Sequence, residues 1–307
     1  MDSRKAIDGR ATGLMLLLCL IWGLQQVVIK TAGNYMTPVM QIGLRSGIAA
    51  VMVAVLIRVR GGKLVLGDGS WRPGLAAGLL FALEYLFVGE GLRFTTASHM
   101  VVLLYTAPIF AALGLHWKLP EERLKPMQWL GIAIAFAGIV AAFMGRSGGS
   151  GDLAAADMLK GDLLGLAGGL SWGATTVVAR TTRLSRIPAA VTVLYQLITA
   201  FTVLMIAGLI LNQTGFQITP VVVMSMSFQV LVVSFGSFLA WFWLLRNYLA
   251  SRLGVLSFFT PLFGVVFGII LLDEPLEMNF AAGTILVFAG TIMVSGYELI
   301  QSRLGRK

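Results

Sequence analysis

The sequence predicts an all-helical integral membrane protein of ten transmembrane helices, arranged as two inverted five-helix repeats with both termini cytoplasmic. Three observations predict it: an apolar composition, an alternation of basic residues between the two ends of successive apolar runs, and an internal repeat at a near-constant offset.

Of the 307 residues, 57% are hydrophobic and 12% charged, about half the charged fraction of an average soluble domain. A span needs about 20 apolar residues, so the length accommodates roughly ten with short connections. The net charge of +9 does not make a nucleic-acid binder, because the basic residues stand singly or in small groups between apolar runs rather than along a groove. Cys19 is the only cysteine, which excludes an intrachain disulfide. Arg4, Lys5 and Arg10 before Leu14–Ile21 resemble a signal peptide, but no clear small-residue cleavage site follows, and the segment recurs later in the chain. It is read as the first span.

Taken in order, the apolar runs are Thr12–Lys30, Pro38–Ile57, Pro73–Leu92, Thr96–His116 and Pro126–Met144, then Asp162–Arg180, Pro188–Leu211, Val223–Arg246, Ala250–Leu272 and Met278–Tyr297. The loose segment Gly145–Leu159 divides them. With the N-terminus on one side, that side collects 18 of the 23 Lys and Arg residues: Arg4, Lys5, Arg10, Arg58, Arg60, Lys63, Arg72, Lys118, Arg123, Lys125, Arg180, Arg183, Arg186, Arg246, Arg252, Arg303, Arg306 and Lys307. The other side holds Lys30, Arg93, Arg146 and Lys160, and Arg45 lies inside a span. The basic side is expected to be cytoplasmic. Trp71, Trp117 and Trp129 fall at its interface.

The halves match collinearly. Trp22-Gly23, Val27-Val28 and Lys30 return as Trp172-Gly173, Val177-Val178 and Arg180, and Pro38 as Pro188, all at an offset of 150. Ala97-Ser98, Pro108-Ile109-Phe110 and Glu121 return as Ala250-Ser251, Pro261-Leu262-Phe263 and Glu274 at 153, and Gly131 and Gly138 as Gly283 and Gly290 at 152. The repeats span 12–144 and 160–297. A unit with an odd number of spans enters the membrane upside down the second time, the architecture of alternating-access transporters.

These motifs resemble the drug/metabolite transporter superfamily and, more closely, its EamA-type branch, whose bacterial members include exporters of amino acids, aromatic ones among them, and of drugs. The resemblance covers about Thr12 to Tyr297. It implies a ten-helix fold, a central cavity lined by both halves, outward transport of small metabolites, and a bacterial inner membrane location.

Several residues are candidates to line that cavity. Pro108 and Pro261 lie near the middle of spans four and nine, where a proline removes a backbone hydrogen bond and would leave the carbonyls of Leu104 and Ser257 free; they are read as hinges. Trp22 and Trp172 sit near the bilayer centre, although tryptophan prefers the interface, and each is followed one turn later by polar groups, Gln25 and Gln26 or Thr175 and Thr176. Such groups serve either as helix–helix glue or as part of a substrate site.

Glu84 lies near the centre of span three, where an ionised carboxylate costs about 3 kcal/mol on insertion scales. Arg45 enters to about 10 Å and Glu84 to about 13 Å from the outer side at 1.5 Å per residue. They are read either as a buried structural ion pair or with Glu84 as a proton-responsive or substrate-amine-binding group. Ser237 and Tyr195 take their places in the second half. Phe81, Tyr85 and Val88 share Glu84's face, Ser234, Ser237 and Trp241 the corresponding face of span eight, and Tyr105 adds a hydroxyl. This lining suits amphipathic solutes and is poor for multiply charged ones such as nucleotide sugars. Asp273, Glu274 and Glu277 read as a solvated outer turn, and His99 and His116 are too far apart to share a metal.

The sequence thus points to a secondary exporter of small amphipathic metabolites, amino acids foremost, with drugs as further candidates and protons as a possible coupling ion. A facilitative carrier for a nucleoside or sugar derivative is the alternative, a membrane-embedded enzyme a remote one: no HExxH, Cys–His pair, paired intramembrane aspartates or nucleotide loop is present. No cofactor or metal is called for. The expected partners are a small-molecule substrate and lipid.

Overall fold

The computed structural model describes residues 8–62, 69–120, 123–144, 152–248, 253 and 256–295. Among them the structure is helical, without a strand; one isolated bridge joins Met36 to Phe216. The helices are α1 (Gly9–Thr31), α2 (Pro38–Val59), α3 (Trp71–Gly91), α4 (Ala97–Leu104), α5 (Ala107–Lys118), α6 (Pro126–Met144), α7 (Asp152–Thr181), α8 (Ala189–Ile210), α9 (Pro220–Ser227), a π-helical segment Phe228–Ser237, α10 (Phe238–Asn247), α11 (Phe259–Leu272) and α12 (Met278–Ser295). Their starts are chemically marked. The side chains of Asp8, Thr37, Thr96 and Thr219 accept the orphan amides of Ala11, Met40, His99 and Val222, and Pro38 and Pro220 occupy the first turn, where no amide is missed.

Among the described residues, six stretches are long and apolar enough to cross a membrane: Gly9–Asn34, Pro38–Val59, Trp71–Gly91, Ala97–Lys118, Ala189–Ile210 and Pro220–Ser237. Pro126–Ala142, Phe259–Leu272 and Met278–Val294 are shorter apolar helices. The apolar side chains point outwards as much as inwards: Ile48, Val51, Val55 and Val59 on α2, and Leu75, Leu79 and Leu83 on α3, are exposed at helical spacing. Water would penalise such stripes; lipid does not.

The helices pack across the midpoint of the chain. Helix α1 lies along α11, α2 along α8, α3 along α7 and α8, α4 and α5 along α7, and α6 along α12. Small residues set these contacts. On α6 and α12, Gly131 meets Gly290 and Gly138 meets Gly283, so close that a Cβ on Gly131 would come 2.8 Å from the Gly290 carbonyl oxygen. Early residues of one helix meet late residues of the other, so this pair is antiparallel. The pair α2/α8 is antiparallel too, Gly43 lying by Leu204 and Gly47 by Phe201.

Lys30 and Lys160 gather at one end, with Arg93, beside Phe94, Thr95 and Glu274. At the other end, Arg10 stacks over Trp243, and Arg183 lies by Gly69.

The structure alters several expected spans. Span four is not one kinked helix: it stops at Leu104 and restarts at Ala107, with Pro108 in the first turn of α5. There a proline fits, so the break precedes it rather than following from a missing mid-helix bond. Likewise Ser257 and Phe258 form a turn before α11, which places Pro261 in its first turn. Span eight starts at Pro220 rather than Val223 and contains the π-helical segment. Helix α7 begins at Asp152, ten residues before the expected span. Glu121, Arg146, Gly148–Gly151, Ala250-Ser251, Tyr297 and both termini lie outside the described residues.

Candidate functional site

Arg45 on α2 and Glu84 on α3 are buried, with 2% and 5% of their surface exposed. They do not form the expected ion pair. The guanidinium instead stacks over the Tyr85 ring, 4.8 Å from its centroid, leaving Nη1 of Arg45 and Oε2 of Glu84 without hydrogen-bond partners. The reason is local: Tyr85 follows Glu84 on the helix and presents its ring to the cation, an attraction that grows on desolvation. Phe81 packs edge-on against the same tyrosine at 4.7 Å. Arg45 still acts electrostatically on both Glu84 and Tyr85.

The second cluster is aromatic. Tyr105, in the break between α4 and α5, meets Trp172 of α7 edge-on at 5.2 Å, and it lies within electrostatic range of Tyr85 and Glu84. Trp22 donates from Nε1 to Ser237 Oγ at 2.9 Å and packs edge-on against Trp241 at 5.7 Å. Ser237 donates to the carbonyl of Val233, one turn back. Between the clusters stands Thr260, in the first turn of α11. Its hydroxyl lies near Cys19 and Tyr105.

Both Trp-Gly pairs have the same structural use. A Cβ on Gly23 would come 2.9 Å from Thr260 O and Gly264 N, and 3.1 Å from the Phe263 side chain. A Cβ on Gly173 would come 2.8 Å from Ala107 O, 2.9 Å from Ala111 N and 2.7 Å from the Phe110 side chain. Residues 260, 263 and 264 are 107, 110 and 111 displaced by 153, so each glycine seats its tryptophan helix on the restarted helix of the opposite half.

The remaining candidates divide. Gln25 and Gln26 are buried, and Gln26 Oε1 is unpartnered. Thr175 and Thr176 donate to the carbonyls of Ser171 and Trp172 on their own helix, which spends their protons locally. Ser234 is buried on the π-helical segment.

Two polar networks were not foreseen. Gln41 donates to the carbonyls of Ile29 and Met36 and accepts from Gln229 at 2.8 Å, joining the α1–α2 turn to the π-helical segment. At the Lys30 end, Glu274 is not solvated as expected. It is buried, accepts from the amides of Ala97 at 2.6 Å and Ser98 at 3.0 Å and from the Ser98 hydroxyl at 2.6 Å, and pairs with Lys30 at 3.5 Å. The carboxylate thus occupies the positive end of α4. Beside it, Asp162 binds Thr95 and lies 3.0 Å from His99 Nδ1, and the His99 ring stacks on Phe280 at 3.6 Å. The spacing Ala-Ser … Glu was visible in the sequence as a repeated motif; its role as a cap from one half onto the other was not. His99 and His116 sit in different helices, and no metal-ligand cluster occurs among the described residues.

The profile of the EamA-like transporter family matches the chain twice, over residues 10–144 and 159–296. The chain is 26% identical to an uncharacterized transporter of Bacillus subtilis, over 89% of this chain and 92% of that protein. It is 28% identical to an uncharacterized inner membrane transporter of Escherichia coli K12 (95% and 92%). A protein of the same strain named a probable amino-acid metabolite efflux pump is 27% identical (90% and 92%). A solved crystal structure shares the fold with a TM-score of 0.66 at 21% identity, covering 97% of this chain and 99% of the other. The apolar helices, the lipid-compatible surface and the doubled family match converge: the chain is an integral membrane protein and belongs to the EamA-like transporter family of the drug/metabolite transporter superfamily.

Proposed function

We propose that the protein is a secondary-active exporter of small amphipathic metabolites, neutral amino acids foremost, working by alternating access in a bacterial inner membrane. The observation that carries this reading is that Arg45 and Glu84, each buried and each with an unpartnered polar atom, lie deep among apolar helices within electrostatic range of Tyr85 and Tyr105. Such groups at membrane depth mark substrate or ion pathways. Tyr85, Trp22, Trp172 and Trp241 keep accessible surface while packing on inner clusters, as residues lining a shared pocket do. The name of the efflux relative supports an amino-acid-derived substrate, and that of the inner membrane relative supports the location.

The ten-crossing, two-repeat arrangement over 12–144 and 160–297 belongs to the same proposal. Its support is the reciprocal seating of Gly23 and Gly173 and the antiparallel pairing of α2 with α8 and α6 with α12. Two halves that grip one another at equivalent points can rock about a site between them.

The test is transport by the purified protein in liposomes loaded with labelled neutral amino acids. Efflux and counterflow above protein-free liposomes are expected, faster with an imposed pH gradient. Absence of transport for every neutral amino acid overturns the substrate reading; transport indifferent to the gradient makes the protein a facilitative carrier.

A further inference from the structure

We propose that Arg45 and Glu84 form a split clamp for the two charges of a zwitterionic α-amino acid: the guanidinium takes the carboxylate, and the Glu84 carboxylate takes the ammonium. This assignment deepens the exporter reading and rests on it.

The argument starts from charge. Arg45 and Glu84 are both more than nine-tenths buried, present a guanidinium and a carboxyl group, and lie within electrostatic reach of one another. Yet no ion pair joins them, and each keeps a buried polar atom without a partner. Two opposite charges at this depth would gain most by closing into contact, since a low dielectric strengthens their attraction. They are instead held apart, Arg45 by its stacking on Tyr85 and each on its own helix.

Ligand chemistry follows by elimination. An anion alone would satisfy Arg45 and leave Glu84 bare; a cation alone would do the reverse. A nucleotide or other polyanion would meet one guanidinium and be repelled by the carboxylate. A zwitterion whose charges are two bonds apart satisfies both at once, through charge-assisted hydrogen bonds on each side. The surroundings select the rest of the molecule. Phe81 and Tyr85 flank the clamp, and Tyr105 with Trp172 stands within reach of it. An apolar or aromatic side chain fits these walls, whereas a charged one finds no counter-ion among the named groups.

The clamp is tested by thermal stabilisation of the purified full-length protein, titrated with L-phenylalanine, phenethylamine, 3-phenylpropanoate and N-acetyl-L-phenylalanine. L-phenylalanine is expected to bind at least tenfold more tightly than the three analogues, each of which lacks one charge. Arg45→Gln is expected to weaken L-phenylalanine by about tenfold to a hundredfold while leaving phenethylamine unchanged. Glu84→Gln should do the mirror image, sparing 3-phenylpropanoate. The wild-type series needs no variant to fold. Equal binding of amino acid and analogues, or variants that weaken all four ligands alike, overturns the clamp but leaves the exporter standing if transport is seen. Binding of none of the four, with no neutral amino acid transported, overturns both.

Discussion

Single residues carry two assignments that substitution can separate from general damage. Glu274 accepts three hydrogen bonds at the start of α4 and pairs with Lys30. Glu274→Gln keeps the shape and removes the charge, so unfolding in detergent should show a loss of about 1–3 kcal/mol. Asp273→Asn is the control. Its side chain is exposed and its φ is +52°, a left-handed conformation that asparagine tolerates as well as aspartate, so the melting temperature should not move. Gly23 offers a second pair. Gly23→Ala drives a methyl group into the backbone of α11 and should cost about 1–3 kcal/mol. Gly13→Ala, ten residues earlier on the same helix with nothing within 4 Å, should be neutral or stabilising by up to about 1 kcal/mol. Equal effects at the two glycines would contradict the close contact. Trp22-Gly23 was legible in the sequence as a motif, because repetition exposes what both halves need. What the glycine touches was not legible, since its partner lies some 240 residues away and no local pattern names it. Glu274 was misread for the same reason: three acidic residues in a short turn look solvated until the fold brings the start of α4 against one of them. The Arg45–Glu84 pair shows the converse limit. Depth along each helix could be counted from the sequence, but not that the neighbouring Tyr85 would take the guanidinium.

Among the elements, the start of α1 is tied to the end of α10. The Asp8 carboxylate accepts from Ala11 N at 2.8 Å and from the Tyr248 hydroxyl at 2.9 Å. The Ala11 amide, and then Tyr248, hold its pKa below the usual aspartate value. A carboxyl group with a lowered folded-state pKa stabilises the fold above its unfolded pKa and loses that contribution as pH falls through the lowered value. Asp8→Ala should therefore reduce the melting temperature near neutrality, and the difference from wild type should shrink on acidification below the ordinary aspartate range. A difference independent of pH would mean that the cap acts through shape alone. The start of α2 at Pro38 was expected, whereas Thr219-Pro220, the same local signature of a helix start, lies ahead of the expected start of span eight at Val223. The breaks were only half legible. Pro108 and Pro261 flagged spans four and nine, but proline chemistry permits both a kink within a helix and the first turn of a new one, and packing on α7 and α1 chose the second. The π-helical segment at Phe228–Ser237 left no mark in the apolar pattern, because a wider turn changes which side chains face inwards without changing their composition.

At the scale of the molecule, everything turns on whether the halves cross the membrane in opposite senses. The glycine contacts order the helices relative to one another, with α2 against α8 and α6 against α12 antiparallel. Each of these pairs joins elements at corresponding places in the two halves, as the proposed two-fold axis in the membrane plane requires. Rotation about that axis would carry the turn after α1 onto the turn after α7, with Asn34 falling opposite Ser185. Both residues are exposed at the surface, and Cys19, the only native cysteine, is buried, so each position can carry a single reactive thiol. In intact cells an impermeant maleimide should label Asn34→Cys, at the end that gathers Lys30, Arg93 and Lys160, and should label Ser185→Cys only after the membrane is permeabilised. The reverse pattern would invert the assigned orientation but keep the two-fold relation. Labelling of both from the same face would break it, because a pocket between two halves of like orientation could not open to each side by their exchange of conformations.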